Sequence, residues 1–281
     1  MKNLGLIIGL ICLLIIKSAA QVTFAQSPET LFDSTVEKEL WQEGLSSDKE
    51  LALFRAVHPI SDFPEQKWKS FLAKLDHKFQ KKGESMSFIR YAFQLSHKEL
   101  FKKYQQHATF NEMMATGKFD CVSGTAVLGI ILDRYGFDFE IIETDYHVFT
   151  MLSIDEQPIV LESTLKIGGM ITRSSEVKKY IDAYKPEEDS YYLSLNQRIG
   201  STEIDYSDKT IFRSINLREL AGLQYYNDAI FHFNQQAYRI SEVQLKKALE
   251  LYPSERIEGL YELTIDQAYK SSGTDLGKNP K

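Results

Sequence analysis

Apolar side chains between Ser85 and Gln106 fall at Phe88, Tyr91, Ala92, Leu95, Leu100, Phe101 and Tyr104. That near-helical spacing predicts a helix with one face on a core, and Ser96 marks a place where it can divide. Upstream, from Pro28 to Lys82, apolar positions such as Leu40, Leu45, Leu51, Leu53 and Phe54 are interrupted by "SSD" and "HPISDFP", which predicts several short helices. The stretch "CVSGTAVLGIILDRYG" from Cys121 differs: Val122, Ala126, Val127, Ile130 and Ile131 make a broad apolar surface, the pattern of a helix buried on most sides. Asp120 is placed to cap its start and Gly136 to stop it, while Gly124 and Gly129 suit close packing against neighbours.

After Gly136 the period shortens. "FDFEIIET", "HVFTMLSI" and "PIVLES" are runs of β-branched and aromatic residues between polar turns, predicting an antiparallel meander. "ITRSSEVKKYIDAYK" returns to a helical pattern with Ser174 or Ser175 as its cap, "DSYYLSLNQRIGS" supplies a further strand or a strand and loop, and Ser201 to Arg213 reads as a boundary. Two amphipathic helices joined near Gln235 to Ala237 follow. The expected fold class is α+β, with a helical region over 26–84, a mixed core over 85–200, a helical hairpin over 214–270 and a disordered tail over 271–281.

The chain has 281 residues, 43% of them hydrophobic, enough for a core of one or two compact units. Its first segment sets Lys2 before an apolar run from Leu4 to Ile16 and then small residues, the layout of a secretory signal over 1–25, with cleavage after Ala20 or after Ala25. The run is shorter than the roughly 20 residues that span a bilayer, so a membrane link exists only if the segment stays uncleaved. Removal would discard Cys12 and leave Cys121 alone in an exported, periplasmic or extracellular protein, where cysteines usually pair; a lone one implies a reactive thiol or an intermolecular link. A net charge of −6 and a pI near 5.6, without a long basic run, exclude a nucleic-acid partner held by phosphate neutralisation.

A thiol at a helix N-terminus is expected to have a lowered pKa, because unpaired N–H groups and aligned peptide dipoles favour the thiolate. Of the six histidines, His58, His77, His97 and His107 sit among polar, mostly helical residues and His232 in the C-terminal hairpin, whereas His147 opens the apolar strand "HVFTMLSI". A hairpin turning at Ile154 and Asp155 sets Glu162 directly opposite His147, on the same face, where a carboxylate can hold the ring. Asp145 is the alternative acid. The competing readings are a small buried cysteine, a histidine satisfied by a backbone carbonyl, an exposed acid at a strand end, or a zinc site made of the same three residues.

The order Cys121, His147, Glu162, with "FDCVSGTA" at a helix start, "YHVF" on one strand and "IVLEST" on the next, resembles the transglutaminase-like branch of the papain-type cysteine protease superfamily over roughly Ser85 to Tyr180. The resemblance implies a cysteine opening a central helix packed on an antiparallel sheet, with histidine and acid on adjacent strands. It departs at the third member, usually Asp and here Glu162. It also implies acyl transfer through a thioester: Cys121 as nucleophile, His147 as base, Glu162 as orienting acid, and a protein or peptide substrate. Water as acceptor gives a protease or amidase; an amine gives cross-linking. The backbone N–H of Cys121 is the natural first oxyanion donor, and Gln94, Gln105 and Gln106 are the upstream candidates for the second. The C-terminal hairpin resembles a tetratricopeptide unit, with Ala229, Ser241 and Ala248 at close-packing positions and Leu245 between them, and offers a surface for a protein partner. This chemistry requires no cofactor and no metal. The reading from a different class is a catalytically inactive fold of this type serving as a binding or scaffold module.

Overall fold

The computed structural model describes residues 31–46, 49–185 and 211–272, which carry an α+β architecture. Three helices lead in: α1 (Thr35–Ser46), α2 (Glu50–Ala56) and α3 (Glu65–Lys82). Helix α4 (Met86–Glu99) starts where Ser85, in an extended conformation, accepts the Phe88 N–H. Ser96 does not divide it, because its buried hydroxyl donates to the Ala92 carbonyl 2.9 Å away and so stays within the helix. Two short strands, β1 (Lys103–Tyr104) and β2 (Lys118–Phe119), pair in parallel around α5 (Phe110–Thr116) and deliver the chain to α6 (Cys121–Arg134).

Asp120 caps α6 through a reciprocal box: its carboxylate accepts the Ser123 N–H at 2.8 Å, and the Ser123 hydroxyl accepts the Asp120 N–H at 2.9 Å. At the other end Gly136, at φ +73°, turns the chain out of the helix. Between these stops the helix has almost no polar face, and Val122, Ala126, Val127, Leu128, Ile131 and Leu132 are all buried in the main core. Two glycines set its approach distances. A Cβ on Gly124 would lie 2.6 Å from the Ser163 hydroxyl and 2.8 Å from its Cβ, and one on Gly129 would lie 2.8 Å from the far end of the Leu217 side chain.

The sheet has the order β6-β5-β4-β3-β7 and is antiparallel throughout. Strands β3 (Phe139–Thr144), β4 (Val148–Ile154) and β5 (Gln157–Leu161) form the meander expected from the alternating pattern, and β6 (Met170–Ile171) extends it. Ile141, Val148, Leu152 and Leu161 face the main core, whereas Ile142, Phe149 and Val160 face Val177 of α7 (Ser174–Asp182) in a second, smaller cluster. The β4–β5 turn is at Asp155 and Glu156, one residue later than expected, with φ of +50° and +63° as a two-residue hairpin turn of right-handed twist requires. Neither Ser174 nor Ser175 caps α7: Arg173 holds that position without a side-chain cap. Part of the expected boundary over 201–213 instead contributes β7 (Phe212–Ile215), paired with β3 at the sheet edge.

The C-terminal hairpin is α8 (Leu217–Asn234) and α9 (Tyr238–Leu251), joined at the expected residues, and a third helix, α10 (Glu255–Ser272), continues past the point where a tail was expected. These helices share the main core with α1 to α6. Buried polar pairs fix their seating. Lys247 of α9 donates to Glu37 of α1 at 2.6 Å, and Gln224 of α8 accepts the Phe110 N–H at 2.8 Å while donating to the Phe54 carbonyl at 3.0 Å. The fully buried Glu143 of β3 accepts from Arg213 (2.8 Å), from Arg256 (2.8 Å) and from the Tyr252 hydroxyl, so its charge is neutralised from β7 and the C-terminal helices together. The segment over 1–25, the run "DSYYLSLNQRIGS" and residues 273–281 lie outside the described residues. No helix among the described residues is long and apolar enough to cross a membrane.

Helical Gly→Ala changes normally gain up to about 1 kcal/mol. Gly124→Ala is expected to lose roughly 1–3 kcal/mol instead, because the near end of Ser163 cannot retreat, while Gly129→Ala stays close to neutral because Leu217 can rotate. Urea unfolding of the two variants measures the contrast.

Candidate active site

The loop from β3 to β4 is a tight turn in which the Thr144 N–H donates to the His147 carbonyl at 2.8 Å and the His147 N–H donates to the Thr144 hydroxyl at 3.1 Å. Arg256 holds the same turn from outside by donating to the Asp145 carbonyl at 2.9 Å. Asp145, the alternative acid, does not reach the imidazole; its carboxylate accepts the Ile211 N–H at 2.8 Å. His147 is thereby fixed at the mouth of β4, with its ring stacked near Phe149 and Tyr184.

Glu162 Oε2 is hydrogen-bonded to His147 Nε2 and also accepts from the Tyr180 hydroxyl. Its Oε1 accepts the Thr164 N–H at 2.8 Å and the Thr164 hydroxyl at 2.5 Å. Burial pushes this carboxyl up, but the bond and charge of His147, with the bonds from Thr164 and Tyr180, outweigh it and hold the carboxyl at about 2. The pairing is not the directly opposed one expected from the sequence. In the observed register Thr150 faces Leu161, so the residue opposite Glu162 is Phe149, and His147 is its diagonal neighbour. A shift of two residues leaves both side chains on the same face, and the diagonal separation suits a side chain one methylene longer than aspartate.

Cys121 is the first residue of α6, part-buried and unpaired. The backbone N–H of Val148, the residue after His147, lies close enough to the Cys121 thiol to favour its thiolate, and Thr125, one turn on, donates to the Val148 carbonyl at 3.3 Å. The charge of Glu162 also reaches the thiol. The structure thus joins His147 to Glu162 directly and brings Cys121 to the same strand end. The expected lowering of the thiol pKa is reversed: burial first, then the adjacent charge of Asp120, push it up to about 12 against the N–H groups of Val148 and Val122. Asp120 is itself pushed up, to about 6, by burial, despite its bonds to Ser123 and Asn227.

The β1–β2 pairing separates the three glutamines. The Gln105 N–H donates to the Phe119 carbonyl at 2.8 Å, two residues before Cys121, and its side chain donates to Glu112 at 3.2 Å, whereas Gln94 and Gln106 are exposed. Tyr104, missed by the sequence reading, lies close enough to feel Cys121, Asp120 and Glu162. So was Tyr180: an isolated tyrosine on an amphipathic helix carries no signal that it will reach a carboxylate on a neighbouring strand. His97 is not a polar helix-surface residue but is buried among Phe93, Phe101 and Phe119, and burial pushes it down to about 4. Zinc ligation by Cys121, His147 and Glu162 finds no gathering of their ligand atoms among the described residues. An open cleft of about 510 Å³ is lined by Ile130, Asp133 and Arg134 at the far end of α6, roughly 20 Å of helix rise from the thiol.

No protein-family model matches the sequence, and no curated protein does. The chain is similar in structure to menin. That likeness, to a crystal structure of menin that reveals its binding site for Mixed Lineage Leukemia (MLL) protein, has a TM-score of 0.38 at 14% identity and covers 84% of this chain. The chain spans 61% of that menin chain.

Two measurements probe the site. Because the folded Glu162 carboxyl lies below its ordinary 4.5, its stabilisation is complete above that pH and disappears as pH falls toward about 2. Glu162→Gln is expected to cost up to about 3 kcal/mol at pH 7, with the deficit relative to the parent shrinking from pH 5 downward in urea titrations. Asp120→Asn keeps a capping side chain but removes the charge beside the sulfur, so iodoacetamide alkylation of Cys121 at pH 8 is expected to quicken about tenfold, one pKa unit of thiolate.

Proposed function

We propose that the chain is an exported, transglutaminase-like cysteine hydrolase or acyltransferase acting on peptide or carboxamide carbonyls. The observation that carries the reading is the His147–Glu162 pair, with its carboxylate saturated by Thr164 and Tyr180, at the strand end whose Val148 N–H lies close enough to the Cys121 thiol to favour its thiolate. Glu162 engages Nε2, so Nδ1 is the nitrogen available to exchange a proton with the thiol and the leaving group. In this mechanism the sulfur attacks the carbonyl carbon as its proton passes to His147. The imidazolium then protonates the departing amine, and water or a second amine releases the acyl group from the thioester. With a thiol pushed up to about 12, proton transfer and attack must be coupled, because little free thiolate exists at neutral pH.

The unpaired backbone N–H of Cys121 at the helix start is the first oxyanion donor in this reading; the Gln105 amide is held by Glu112, so to serve as the second it must leave that carboxylate. Tyr146 (96% exposed), next to His147 in the chain, and Ile167 (91% exposed), five residues after Glu162, are exposed apolar side chains that suit contact with a protein or peptide substrate. The hairpin of α8 and α9 is proposed to be tetratricopeptide-like. The support is that Ala229, Ser241, Leu245 and Ala248 are fully buried, with the Ser241 hydroxyl donating to the Ala229 carbonyl at 2.9 Å. Its inner face packs on α2 and α6, so a partner would have to use its outer face.

The second reading, a non-catalytic binding module on the same fold, is favoured by the burial and raised pKa of the thiol. Hydroxylamine trapping of an acyl-enzyme from glutamine-containing peptides, with ammonia release and alkylamine incorporation followed in parallel, separates the two. Catalysis predicts turnover that Cys121→Ala and His147→Ala abolish and that Glu162→Gln lowers by about 10²-fold or more in kcat. Absence of trapped acyl-enzyme and of turnover in the parent chain selects the binding module.

A further inference from the structure

Helix α8 and the loop after α2 bring together a second group of ionisable side chains. Asp228 and His232 stand one helical turn apart on α8, and His58, at φ +49°, comes from the loop after α2. His58 Nε2 is 2.7 Å from Asp228 Oδ1, and His232 Nε2 is 3.7 Å from Asp228 Oδ2. Ligand atoms of all three residues lie within 4.8 Å of one another.

The carboxylate is the informative member. The Asp228 side chain is only 8% exposed, and its Oδ2 is buried with no hydrogen-bond partner, although it points toward His232. An ion pair with His58 alone satisfies Oδ1 and leaves Oδ2 desolvated without a compensating partner, which is unfavourable for a buried carboxylate oxygen. His107, whose Nδ1 is likewise buried without a partner, feels the Asp228 charge.

We propose that His58, Asp228 and His232 form a binding site for a divalent transition-metal ion of the zinc class. Two imidazoles and a carboxylate are a borderline donor set that suits zinc and its neighbours over calcium or magnesium. Tetrahedral zinc, with bonds of about 2.0–2.2 Å, places its ligand atoms roughly 3.3 Å apart; His232 Nε2 stands 3.7 Å from the unpartnered Asp228 Oδ2, and one ligand atom from each of the three residues lies within 4.8 Å of the others, so small side-chain rotations close the site. Three protein ligands leave a fourth position for water, and His58, half exposed, gives the ion a path from solvent. The ion would tie the loop after α2 to α8. The neighbouring Asn227 donates to Asp120 at 3.3 Å, so this crosslink also braces the cap of the cysteine helix.

The test is zinc titration of the chelator-stripped full chain against a chromophoric competitor, with X-ray absorption on the loaded protein. Expected are one saturable site, at least a tenfold loss of affinity in His58→Ala/His232→Ala and in Asp228→Asn, unchanged affinity in Cys121→Ala, and nitrogen and oxygen ligands at about 2.0–2.1 Å. Zinc should also raise the unfolding temperature of the parent and of Cys121→Ala but not of the histidine double variant. Absence of saturable binding, parental affinity in the double variant, or a sulfur ligand at about 2.3 Å overturns the proposal.

Discussion

A helix without a polar face has to be covered on every side, and that requirement of α6 organises the rest of the molecule. Valine, isoleucine and leucine occupy its whole circumference, so one flanking layer would leave part of it in water. The sheet covers one side, α2 and α4 others, and α8 from the C-terminal region closes the remainder. Burial therefore recruits segments from both ends of the chain and makes the first residue of α6 a point on which several layers converge. Cys121 sits at that point because Asp120 ends the preceding strand and satisfies the first turn of the helix.

Charge placement inside the molecule follows from the same convergence. Glu143 lies on the central sheet where the C-terminal helices dock, and two arginines and a tyrosine from three elements meet it there. Arg256 continues to the Asp145 carbonyl, so the cation that neutralises the core carboxylate also shapes the turn that presents His147. Glu162 is treated alike, with four donors from two strands' surroundings and α7. At Asp120 and Cys121 the balance tips the other way, since burial there outweighs the few N–H groups on offer.

Features set by local period were legible in the sequence. The buried helix from Cys121, its cap and its glycine stop follow from composition within one segment, and so do the β3–β5 meander and the joint between α8 and α9. Features set by distant partners were not. Ser96 was a local signal for a break that the apolar face on either side overrode, and the turn at Asp155 and Glu156 lacked the glycine that would have marked it. β7 emerged from a polar stretch because its partner, β3, supplies the ladder. At the site, His147 and Glu162 were readable from alternation, whereas the upward push on the thiol, the contribution of Tyr180 and the meeting of His58 with α8 depend on contacts between residues far apart in sequence.

The β4–β5 hairpin also constrains how this chain can vary. Because His147 and Glu162 meet diagonally across it, what the site requires is parity rather than length. While the two-residue turn at Asp155 and Glu156 is kept, lengthening or shortening the strands between them by an even number of residues returns the carboxylate to the imidazole's side, within the reach of a long acidic side chain. An odd change turns it toward the cysteine helix and leaves a charge in the apolar core. Related chains would therefore be expected to differ here in steps of two, with aspartate and glutamate exchanging as the distance to the histidine contracts or grows.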